Sequence, residues 1–166
     1  MATTYKLIDK SILGSTTASV TFSSIPSTYT DLVLKVSSRS DTSDVLTAVF
    51  ISFNATTTNF SGKFLLGTGG AAVSGSLSRF TGHADAASAT SNTFQNGEIY
   101  IPNYLSSNYK SFSADSVQEN NNTTAYSSLV AGLWTITDAI TSITLTPDAG
   151  SFVSGSSFYL YGIKNS

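Results

Sequence analysis

The sequence predicts an all-β protein, a two-sheet antiparallel sandwich of jelly-roll type. Three observations predict it. Apolar residues recur with period two over most of the chain, and long stripes of period 3.6 are missing. The alternating segments are rich in Thr, Val, Tyr and Phe, which suit a pleated, half-buried surface. Gly, Ser, Asn and Asp punctuate them roughly every 8–15 residues, the turn spacing of sandwiches and barrels.

The elements follow in order. Residues 5–8 open the chain, and residues 19–23 alternate Val20 and Phe22 with polar neighbours. Residues 31–37 put Leu32, Leu34 and Val36 on one face and Val33 and Lys35 on the other. Residues 47–53 carry Val49, Ile51 and Phe53 on one face and Ala48 and Phe50 on the other. Apolar character on both faces predicts a central strand. Weaker strands at 63–66 and 78–83 flank a glycine-rich loop at 67–75. Strands at 98–101, 109–117, 126–134, 140–146 and 158–163 complete the set, with one short helical option at 85–90. Leu32, Leu34, Val36, Ile99, Ile101, Phe112, Ile143, Leu145 and Leu160 are the expected inward positions. The two long strands near the chain end are expected in the core of the sandwich.

At 166 residues the chain has the size of one domain, residues 1–166, and can bury a core without covalent staples. Charged residues are 11%, where about 25% is usual. Ser, Thr and Asn replace them, so the polar surface consists of hydroxyls and amides that salt scarcely screens. Net charge is -2 and the Lys and Arg residues are scattered, which argues against nucleic acid as a partner. Without cysteine there is no disulfide framework, zinc–thiolate site or Cys nucleophile. Residues 1–10 lack an apolar signal region, and no run approaches the roughly 18 apolar residues of a membrane span.

Several residues invite a chemical reading, and each has a simpler one. His83 is the single histidine, and His83, Asp85 and a serine would make a triad. Serine is too abundant for that coincidence to weigh. Residues 67–72 match G-x-G-x-x-A, but no helix follows to receive a phosphate, so a strand-to-strand loop is expected. Asp41 and Asp44 offer oxygens for Ca²⁺, yet turn-forming Asp explains them without a metal. Four matches to the glycosylation sequon are what this much Asn and Thr produces by chance. No catalytic residue, metal or cofactor is therefore expected. The tyrosines beside polar loops, Tyr100, Tyr104, Tyr109 and Tyr126, are the expected interface residues. Each joins large apolar area to a hydrogen-bonding tip.

Three segments carry a resemblance. Residues 22–34, FSSIPSTYTDLVL, lie in the first part of the chain, and residues 98–104, EIYIPNY, lie mid-chain. The ending is ITLT at 143–146 followed by FYLYGI at 158–163. Together they resemble small β-sandwich structural proteins of tailed phages, of the marine and cyanophage type. The likeness implies a non-enzymatic virion surface protein, made in the host cytoplasm, and a capsid decoration or cement protein foremost. Its partners would be other virion proteins, the major capsid protein foremost, and itself, as a homo-oligomer with a trimer the favoured form; no nucleic acid and no membrane are expected. The alternative is a small tail or appendage protein that binds host surface glycans.

Overall fold

The computed structural model describes residues 4–122 and 124–164. Their twelve strands are β1 (Tyr5–Ile12), β2 (Val20–Phe22), β3 (Asp31–Ser38), β4 (Leu46–Phe53), β5 (Phe60–Gly67) and β6 (Val73–Ser76), then β7 (Phe80–Asp85), β8 (Gln95–Ile101), β9 (Lys110–Glu119), β10 (Ala125–Trp134), β11 (Ile143–Pro147) and β12 (Ser157–Ile163). An eight-stranded sheet has the order β1-β12-β3-β8-β9-β10-β5-β6, and a four-stranded sheet the order β2-β11-β4-β7.

The topology is a wound ribbon. Apart from the hairpins β5–β6 and β9–β10, the strands pair as nested partners: β1 with β12, β2 with β11, β3 with β8, β4 with β7. Each step along the ribbon changes sheet, which is the jelly-roll winding. The two hairpins extend the first sheet beyond β8, because β9 pairs with β8, β10 with β9 and β5 with β10.

The alternation seen in the sequence becomes the two faces of each strand. Along β9, Lys110, Phe112, Ala114, Ser116 and Gln118 are buried while Ser111, Ser113, Asp115 and Val117 are exposed. All nine expected inward residues are buried between the sheets. β4 lies between β11 and β7, as its two-sided apolar pattern requires. At the centre, Phe53 meets Phe112 and Trp134 edge to face, at ring separations of 5.9 and 5.4 Å. Gly132 lies directly opposite Phe112 on the neighbouring strand and gives its ring room: a Cβ there would collide with it. Gly75 makes the same space for Phe64.

Two expectations change. The glycine-rich segment contains a strand, β6, which ends the larger sheet against β5. The helical option at 85–90 is a strand end and a loop. Asp85 closes β7, and the buried Arg39 guanidinium donates to the carbonyls of Ala87, Ala89, Thr90 and Thr93 at 2.8–3.3 Å. The segment wraps the guanidinium as turns and bends, with its carbonyls aimed at that one cation in place of along a helix axis.

Candidate interaction surface

The face of the eight-stranded sheet turned away from the smaller sheet is built by strand register. One cross-strand row runs Leu7, Tyr161, Val33, Tyr100, Ser113, Ala131. The next runs Lys10, Tyr159, Lys35, Glu98, Asp115, Leu129, and Leu65 follows Leu129 on β5. Val33 points outward yet is only 2% exposed, because Tyr161 and Tyr100 flank it. Tyr5 extends the aromatic area, with its ring 5.3 Å from that of Tyr161.

This face exposes large apolar side chains at both ends. Tyr5, Leu7 and Ile12 are exposed on β1, and Val117, Leu129 and Leu65 on β9, β10 and β5. Leu129 and Leu65 are direct cross-strand partners, 58% and 53% exposed. Beside them lies a groove of about 560 Å³ lined by Lys63, Leu65, Ser74, Leu129 and Ala131. Between the two ends sits Lys35–Glu98, the one ion pair among the described residues. Exposed contiguous apolar area rimmed by polar groups marks interaction surfaces.

The four tyrosines picked from the sequence do not come together. Tyr100 belongs to the face described. Its hydroxyl donates to Asp31 Oδ2 at 3.0 Å, and burial and that carboxylate raise its pKa. Tyr109 is 59% exposed and precedes β9, at the end of the sheet where β10 finishes. Tyr126 pairs with Gln118 at the opposite end, about 30 Å along the strand. Tyr104 is a correction. It is fully buried and its hydroxyl donates to the Pro26 carbonyl, so it anchors the core and presents no surface to a partner. The sequence reading missed Tyr5, Tyr159, Tyr161, Leu65 and Leu129 as a group. The signal for Tyr159 and Tyr161 was their parity opposite Phe158 and Leu160. That they share a surface with Leu65 follows only from strand order.

His83 is half-buried and Asp85 fully buried on β7. His83 Nδ1 is 3.4 Å from Ser128 Oγ, which accepts from Gln118 Nε2 at 3.2 Å. Gln118 Oε1 in turn accepts from Ser116 at 3.2 Å. Asp85 Oδ1 accepts the Glu119 N–H at 3.1 Å, and its buried Oδ2 has no partner among the described residues. Burial lowers the His83 pKa. Burial raises that of Asp85, and the Glu119 carboxylate adds to the rise. A relay needs the carboxylate on the imidazole and a nucleophile open to substrate. Here Asp85 bonds elsewhere and Ser128 is 1% exposed. Asp41 and Asp44 spend a carboxylate oxygen each on the N–H of Ser151 and Val45, both at 2.7 Å. Residues 67–72 join β5 to β6, and no helix follows them.

No family model matches the chain, and no curated protein matches it. Among solved structures, the galectin LEC-6 of Caenorhabditis elegans is similar over 98% of this chain and 96% of its own. Identity is 10% and the TM-score 0.30.

Proposed function

We propose that the protein is a non-enzymatic surface component of a tailed-phage particle, a decoration protein that docks on the major capsid protein and associates with itself. The outer face of the eight-stranded sheet is the docking surface. One observation carries this reading: Leu65, Leu129 and Val117 at one end and Tyr5, Leu7 and Ile12 at the other stand exposed on that face. The resemblance of residues 22–34, 98–104, 143–146 and 158–163 to phage structural proteins supplies the kind of partner. The capsid lattice would cover the apolar ends. Contact of this kind rests on shape and apolar area, with few charges to screen.

Retention on purified particles tests the proposal. Wild type should stay bound from low to moderate salt, and light scattering of the free protein should give more than one chain's mass. Leu129→Lys should weaken attachment by about 2 kcal/mol or more while melting as wild type does. Release of the wild type by moderate salt, or full retention of Leu129→Lys, would overturn it.

A further inference from the structure

The outer face of the four-stranded sheet carries a second, chemically different feature. Beside β4 and β11 lies a depression of about 320 Å³ lined by Phe50, Ser52, Thr57, Arg79, Thr146 and Asp148. That volume is at the small end of ligand clefts, with room for one ring. The Arg79 guanidinium carbon stands 5.0 Å from the centroid of the Phe50 ring. Stacking holds the guanidinium in place and leaves its N–H edge open. No side-chain hydrogen bond or ion pair occupies that edge among the described residues. The other arginine, Arg39, spends its donors on four carbonyls.

The rest of the lining is equally uncommitted. Thr144 on β11 bonds its hydroxyl to Thr21 at 2.9 Å, whereas the hydroxyls of Thr146, Ser52 and Thr57 have no partner among the described residues. The Asp148 carboxylate is likewise free there, although its N–H is fixed on the Ala48 carbonyl at 2.8 Å. Arg79 also holds a backbone φ of 62°, a region where Asn fills most of the non-glycine positions among the described residues. The Ile51 N–H on the Arg79 carbonyl at 2.8 Å ties that conformation down, next to the irregular register between Ala48 and Phe50. A long cation kept in a conformation that suits glycine, with an open donor edge, points to a use for that edge.

We propose that this depression binds one acidic sugar residue, with Arg79 taking its carboxylate and Asp148 and the three hydroxyls taking its hydroxyl groups. The guanidinium edge asks for a planar acceptor and matches a carboxylate with two parallel bonds. Asp148 asks for donors and disfavours a bare anion. A hexuronic acid carries both groups on one ring. The site is independent of the capsid reading, since it lies on the other sheet.

Titration of the free protein by NMR tests it, with methyl glucuronide, methyl glucoside, inorganic phosphate and glycine as probes. Methyl glucuronide should shift the amides of Phe50, Arg79 and Thr146 in a saturable way. Methyl glucoside should bind about tenfold more weakly or worse. Arg79→Lys, which keeps the charge and loses the fork, should lose about tenfold in affinity or more. Arg79→Gly suits the backbone conformation, so it should melt no lower than wild type and fail to bind. Leu129→Lys on the other sheet should bind normally. Equal binding of glucoside, phosphate or glycine, or a folded Arg79→Gly that still binds, would overturn the proposal.

Discussion

Leu145 shows what the core asks of one side chain. It is fully buried on β11, opposite Val20 of β2 and Ile51 of β4. Leu145→Ala should cost about 2–5 kcal/mol, read as a lower urea midpoint with an unchanged slope. A loss under about 0.5 kcal/mol would mean the position faces solvent. The buried ionisable groups set a dependence on pH. The folded chain keeps His83 neutral below 6.5, where the unfolded chain takes up its proton. That part of the stability is present above 6.5 and lost as pH falls below it. Asp85 acts in the opposite sense: the folded chain holds its proton above 3.8, so its part is lost as pH rises. Thermal melts between pH 7 and 5 should show His83→Gln losing less stability than wild type. An identical loss would remove His83 from the account. Residue identity alone separates such roles poorly. Tyr104 and Tyr109 both border the same polar loop in sequence, yet one is the second-largest fully buried side chain and the other is exposed.

At the scale of elements, close approach between strands depends on single glycines. A methyl group on Gly132 would enter the space of the Phe112 ring, and the ring has no room to retreat from a packed core. Gly132→Ala should therefore cost about 1–3 kcal/mol, or a melting point several degrees lower. Gly14→Ala is the matched control, since a Cβ there meets nothing within 4 Å. If both variants melt alike, the packing argument fails. Most strands were legible because one buried face imposes period two on the sequence. β6 was not, since Val73, Ser74 and Ser76 are exposed and Gly75 carries no side chain, so burial writes no pattern there. The pairing of distant strands was also hidden. Period two tells which side chains share a strand face, but not which strands are neighbours. For that reason the outer surface could not be assembled from the sequence, although its tyrosines could be seen.

At the scale of the whole molecule, the two sheets turn different chemistry outward: apolar and aromatic on the larger, a guanidinium with hydroxyls on the smaller. A substitution on one should leave the other's binding intact, which a pair of titrations on Leu129→Lys and Arg79→Lys can check. The wound ribbon has a further consequence, for the order of assembly. Its partners are nested, from β4 with β7 outward to β1 with β12. Closing an inner pair first shortens every later loop, so zipping outward avoids the largest entropy cost. During synthesis β1 is made before β12 and must wait for it to pair. Tyr5 and Leu7 stay unpaired until β12 has been made, and their docking runs on the slow timescale of non-local pairing. Chains arrested before Ser157 should lack a cooperative melt. In the finished protein, amide exchange should begin at β1, the last strand to dock and the first to leave.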